Sequence, residues 1–148
     1  MKVPISTLLA EKRIKGIYSM ESSATVMDAV KEMNERHIGS LLILENGKLV
    51  GIFTERDVLR RVVVPGRPAE TTLVSEVMST EVDTFSLETT VTDAMAHMNQ
   101  FRHRHVPVVT GEEIHGLISI GDITRWLSRN AQNEAQTLLN YFTGTYGE

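Results

Sequence analysis

Val26, Ala29, Val30 and Met33 fall at i, i+3, i+4 and i+7, and Val91, Ala94, Met95 and Met98 repeat that spacing further along. Apolar residues at this interval share one helix face, so each set predicts an amphipathic helix packed on a core. A short apolar run follows each stripe, Leu41 to Leu44 and Val106 to Val109, and a second comes after a polar turn, Leu49 to Phe53 and Ile114 to Ser119. Runs of this length bounded by turn residues read as strands, and Asn46-Gly47 between the first two is a strong hairpin signal. Thr110-Gly111-Glu112 forms the matching turn. Shorter strands are expected at Gly16 to Ser19 and at Val82 to Thr84, and a further helix opens at Glu55-Arg56-Asp57 and at Ile120-Gly121-Asp122. The unit is β-α-β-β-α, written twice.

Residues 25–60 and 90–125 align without a gap at an offset of 65, with nine identities in 36 positions. The identities are Thr25, Val26, Asp28, Ala29, Met33, Asn34, Gly51, Asp57 and Arg60 with their counterparts from Thr90 to Arg125. A tandem duplication implies a pseudo-twofold α/β (α+β) fold with a cleft between its halves. The first repeat is placed at 12–63, a linker at 64–74, the second repeat at 75–129 and a flanking helix at 130–148. Pro65, Gly66 and Pro68 break both periodicities in the linker. Ala131, Ala135, Leu138, Leu139 and Phe142 make the flanking stripe, closed by Gly144, and Val3 to Arg13 is a shorter helix candidate. Each repeat alone is near the size at which a core becomes marginal, so a single shared core is expected.

The 148 residues, 41% apolar and 23% charged, have ordinary globular composition. A net charge of −4 without a basic run argues against phosphate-driven nucleic-acid binding. The absence of cysteine removes disulfides and thiolate metal sites. The apolar runs are too short for a membrane helix and no signal-peptide h-region opens the chain, so a cytoplasmic location is the expectation.

Candidate chemistry sits in two tetrads at strand exits, Thr54-Glu55-Arg56-Asp57 and Ser119-Ile120-Gly121-Asp122. Ser/Thr-x-x-Asp is a variant of the helix capping box, which explains these letters and also Thr25 to Asp28 and Thr90 to Asp93. The same position suits a nucleotide, because a helix N-terminus attracts phosphate and a carboxylate can accept from two ribose hydroxyls. Spacing alone leaves both readings open. His103 and His105 share a strand face, but no nearby carboxylate or cysteine completes a metal set, and none is expected. Histidines 37, 97 and 115 are scattered and read as surface or helix-end residues. Trp126 joins Ile123 and Leu127 on an apolar helical stripe, a core or interface position. No P-loop and no paired nucleophile and base support an enzyme.

The repeated Gly-h-h-[Ser/Thr]-x-x-Asp pattern, from Gly51 to Asp57 and from Gly116 to Asp122, resembles that of the cystathionine β-synthase (CBS) domain pair. Ala24 to Ala29, Glu35 to Ile43 and Arg104 to Val108 carry further resemblance, which spans residues 12–128 and is nearest to small stand-alone bacterial pairs. It implies two repeats packed through their sheets as a regulatory module for adenosine ligands: AMP first, with ATP, NAD or S-adenosylmethionine as alternatives. It further implies that Asp57 and Asp122 hold ribose and that Thr54 and Ser119 approach phosphate. Ala24-Thr25 and Thr89-Thr90 would complete the opposite clefts, with Ala24 departing from the usual hydroxyl. Arg104 and His105 would face phosphate in the cleft of Asp122, where Gly121 replaces Arg56; Gly39-Ser40 would stand in their place beside Asp57. A homodimer and an unidentified regulated protein are the partners implied. The rival readings are a ligand-free dimerisation scaffold and, less well supported, a small hydrolase.

Overall fold

The computed structural model describes residues 2–12 and 18–143, without the side chains of 134, 137, 138 and 140–143 in the last helix. In chain order the elements are α1 (Ile5–Glu11), β1 (Ser19–Glu21), α2 (Val26–Arg36), β2 (Ser40–Glu45), β3 (Lys48–Thr54), α3 (Glu55–Asp57), α4 (Val74–Val77), α5 (Val91–Phe101), β4 (His105–Thr110), β5 (Glu113–Ser119) and α6 (Ile120–Thr143). α3 runs directly into a π-helical stretch, Val58–Val63.

The two amphipathic stripes fold as α2 and α5, each with a Thr cap whose hydroxyl accepts from the amide three residues on, at 3.1 Å in both. Each ends on a residue in the left-handed region, His37 (φ 55°) and Arg102 (φ 57°), 65 positions apart. The hairpins form as the alternation predicts. Asn46 (φ 51°) and Gly47 (φ 79°) make the tight turn between β2 and β3, the conformation that Asn-Gly favours. β2–β3 slips register after Ile43 and β4–β5 after Val108, so even the bulge is duplicated.

β1 pairs in parallel with β2, giving a three-stranded sheet, β1-β2-β3. The strand expected at Gly16 to Ser19 is found at Ser19–Glu21, and Gly16 and Ile17 lie outside the described residues. In the second repeat the strand expected at Val82 to Thr84 is reduced to one parallel bridge from Phe85 to Val108. Phe85 donates to the Pro107 carbonyl and accepts from the Val109 amide, both at 2.9 Å, and no further rung forms among the described residues. The helix expected at Val3 to Arg13 is α1, with Arg13 outside the described residues. The separate flanking helix merges with the one that opens at Ile120 into a single 24-residue α6. On it Ala131, Ala135 and Leu139 are exposed, while the Leu138 and Phe142 side chains and Gly144 lie outside the described set.

The shared core expected from size is replaced by two. Val26, Ala29, Met33, Leu41, Ile43, Phe53 and Val62 form one cluster, completed by Val74 and Val77 of α4. Val91, Ala94, Met98, Val106, Val108, Ile118 and Ile123 form the other, completed by Ile5 and Leu8 of α1. The short helices α1 and α4, each ahead of one of the aligned segments 25–60 and 90–125, therefore pack on the core of the other segment. The bridges are matched: Pro4 with Thr90 and Thr25 with Leu73, while the Val91 amide donates to Val3 and the Val26 amide to Thr72, both at 2.8 Å. This exchange explains why each small core suffices: each borrows two apolar side chains from a segment it does not own. Leu42 and Ile52 are buried outside both clusters, on the sheet face turned to the second repeat.

Candidate functional site

Both tetrads stand where a strand runs into a helix. Thr54 ends β3: its hydroxyl accepts from the Asp57 amide at 3.3 Å, and its own amide donates to Asp57 Oδ2 at 3.0 Å. Ser119 and Asp122 repeat this at 3.1 and 2.9 Å. These reciprocal bonds satisfy amides that a helix start leaves unpaired, so capping is part of what both tetrads do.

The second carboxylate oxygens meet different surroundings. Asp57 is buried, and its Oδ1 accepts from the Ser79 hydroxyl at 3.3 Å and lies 3.7 Å from Arg61 Nε. Asp122 is held by two cations: Lys12 Nζ at 3.1 Å from Oδ2 and Arg125 Nη2 at 2.6 Å from Oδ1. Lys12 Nζ also donates to the Leu117 carbonyl at 2.7 Å. Burial alone would raise the Asp122 carboxyl, but the Ser119 amide and the Lys12 ammonium outweigh it and hold the group below the usual carboxylate range. Burial likewise holds the His105 ring below its ordinary value, against the pull of Asp122.

Each tetrad lines a crevice between the repeats. One, of about 250 Å³, is lined by Thr54, Arg56 and Asp57 of the first repeat, Ser79 and Glu81 to Asp83 of the crossing segment, and Arg102 to His105 of the second repeat. The other, of about 180 Å³, joins Ser119, Asp122 and Arg125 to Lys12, Tyr18, Gly39, Ser40 and Leu42. The pairing expected from sequence is thus crossed. Arg104 stands with Asp57, not with Asp122, and Ser40 stands with Asp122, while Gly39 and His105 line both crevices. The reason lies in the pseudo-twofold packing, which sets the end of β3 against the start of β4 and the end of β5 against the start of β2.

Arg56, Arg102 and Arg104 are exposed, and no side-chain hydrogen bond or ion pair among the described residues engages them. They share the crevice with Glu55, Glu81 and Asp83. Gly121 lies under Arg125, where a Cβ would come 3.3 Å from Nη1. Ala24, Thr25 and Thr89 line neither crevice. Ala24 and Thr89 offer their carbonyls to Val74 and Ile5 at 2.9 and 2.7 Å, and Thr25 caps α2. The segments that embrace the opposite repeat occupy these positions. Sequence reasoning missed Lys12, Arg61, Ser79 and Arg102. Lys12 and Ser79 precede the aligned segments 25–60 and 90–125 in the chain, so that alignment could not pair them with the tetrads.

Asp83 also gathers two histidines that read as unrelated: its Oδ2 lies 3.0 Å from His97 Nε2 and 2.7 Å from His103 Nδ1. The hydrogen bond from His97 is the largest of the influences that hold the Asp83 carboxyl below its ordinary range. Among the described residues, no helix is long and apolar enough to cross a membrane.

Two duplicated α/β units, facing across paired crevices with a Ser/Thr-x-x-Asp box at each strand exit, define a paired α/β module. The CBS domain family matches residues 12–64 and 74–129, and the chain belongs to that family. CBS pairs are generally regulatory modules that bind adenosine-containing ligands. The chain is 39% identical over 127 residues to the mitochondrial CBS domain-containing protein CBSX3 of Arabidopsis thaliana, covering 82% of this chain and 62% of that relative's length. The CBS domain-containing protein YhcV of Bacillus subtilis is 29% identical, with 84% of this chain and 89% of that one matched. Among solved structures, a protein with CBS domains from Burkholderia ambifaria superposes with a TM-score of 0.81 at 35% identity, covering 84% of this chain and 93% of that chain.

Proposed function

We propose that the crevice of Thr54 and Asp57 binds a phosphorylated adenosine, with AMP the first candidate and ATP or NAD next, and that occupancy is read by a partner protein. The observation that carries this is the convergence of Arg56, Arg102 and Arg104, all without an ion-pair partner among the described residues, on a strand exit with a hydroxyl and a buried acid. Guanidinium groups favour phosphate over uncharged adenosine through paired hydrogen bonds. In this reading Asp57 accepts from the ribose, Thr54 and the arginines hold phosphate, and Ile52 and Val82 wall the base. The module is not an enzyme. A ligand bridging the repeats biases their packing by as much as its affinities for the two arrangements differ.

The Asp122 crevice supports the other reading. Both its carboxylate oxygens are engaged by Lys12 and Arg125, so this half closes structurally without a ligand. The proposed partner for Leu59, Val63 and Val64, exposed by 58, 62 and 75%, is a second copy of the chain. A cytoplasmic setting, without membrane or nucleic acid, suits such a sensor.

Thermal shift tests the binding reading. AMP, ATP or NAD should raise the melting temperature more than adenosine does, and Arg104→Ala should erase the difference. At about 100 times Kd a single-site ligand adds about 2.7 kcal/mol of stability. No shift with any of the four leaves the scaffold reading for the whole molecule.

A further inference from the structure

We propose that Asp83, His97 and His103 form a binding site for a zinc-class divalent metal ion at the edge of the Thr54 crevice. The three residues come from three places: the segment that crosses between repeats, the body of α5, and the turn that follows it. Their ligand atoms all lie within 4.8 Å of one another, one carboxylate oxygen between two ring nitrogens. All three side chains are partly exposed, at 41, 30 and 42%, so an ion can enter.

Two imidazoles and one carboxylate suit zinc, cobalt or nickel, whereas magnesium and calcium prefer oxygen ligands throughout. A tetrahedral zinc with bonds of about 2.0–2.1 Å spaces its ligand atoms about 3.3 Å apart. Each Asp83–imidazole contact, at 2.7 and 3.0 Å, needs to open by only a few tenths of an ångström. The rings are steered by neighbours: His97 packs edge-on against Phe85 at 5.5 Å and tilts over Phe101 at 4.7 Å, while His103 stacks on Phe101 at 6.4 Å. Three protein ligands leave one position for water or for an oxygen of a molecule in the crevice, since Asp83 and His103 also line it. A bound ion would fasten the crossing segment to α5, so metal and crevice occupant would be coupled. Metal binding itself does not depend on the crevice taking a nucleotide.

The test is calorimetric titration of the full chain with zinc chloride, with magnesium chloride as control and cobalt absorption as a report of geometry. One equivalent of zinc should bind, and cobalt should give the intense visible bands of a tetrahedral site. His97→Ala and His103→Ala should each weaken zinc at least tenfold, and His37→Ala should not. Asp83→Asn keeps the side-chain volume and should do the same as the histidine variants, with circular dichroism confirming the fold of each. Zinc affinity unchanged in Asp83→Asn and in the histidine variants that fold, or no binding by the parent protein, overturns the site. Nucleotide binding without zinc binding refutes this proposal alone; zinc binding without nucleotide binding refutes only the function proposed above.

Discussion

At the scale of single residues, the two motif glycines are close-approach positions rather than turns. A Cβ on Gly51 would collide with Met78 Sδ and come 3.0 Å from the Ser79 carbonyl oxygen; on Gly116 it would meet Leu9 Cδ2 at 2.8 Å. Backbone cannot yield as a leucine tip can. Gly51→Ala should therefore cost about 1–3 kcal/mol in urea unfolding, and Gly116→Ala less. Asp122 gives a pH signature. Its carboxyl lies below the ordinary value in the folded chain, so the unfolded chain takes up the proton first as pH falls. The stability it contributes is present above the ordinary carboxylate pKa, about 3.9, and is lost as pH drops below it. Thermal unfolding across that window should be flatter in Asp122→Asn than in the parent chain. Equal slopes would remove the ion-paired role of Lys12 and Arg125.

Among the elements, α2, α5 and both hairpins are legible because each is governed by local periodicity and turn chemistry. What escapes is what tertiary packing decides. α4 is four residues long, too short to carry a periodic signal, and the segment at 82–84 has strand-like letters but makes one bridge only. α1 and α4 are themselves a repeated pair, but Leu9 and Met78, which meet the two glycines, are 69 positions apart rather than 65. An alignment held at the other offset hides them. The exchange of these helices is testable by amide hydrogen exchange. Ile5→Ala, at a fully buried site, should cost about 2–5 kcal/mol and speed exchange in α5 and β4–β5 while sparing α2. Faster exchange in α2 and β2–β3 instead would mean that α1 serves its own repeat.

For the whole molecule, the duplication announces a paired module and places a hydroxyl and an acid at each strand exit. It does not say which half supplies the rest of each crevice. Residues adjacent in one repeat serve opposite sides of the pseudo-twofold axis, so Arg104 and Asp57, 47 positions apart in the chain, share one crevice. Asp83, His97 and His103 meet for the same reason: chain proximity is no guide where a crossing segment returns to a helix end. The outcome is a charge asymmetry: beside Asp57 and its Arg61 partner stand Arg56, Arg102 and Arg104 without an ion-pair partner among the described residues, whereas the cations on Asp122 are both paired with it. Isothermal titration of AMP into the parent chain, Asp57→Asn and Asp122→Asn measures that asymmetry most directly. One site should bind in the parent, weaken at least tenfold, about 1.4 kcal/mol, in Asp57→Asn, and persist in Asp122→Asn. Binding that survives Asp57→Asn and vanishes in Asp122→Asn, or no heat with AMP, ATP or NAD at all, would contradict the account.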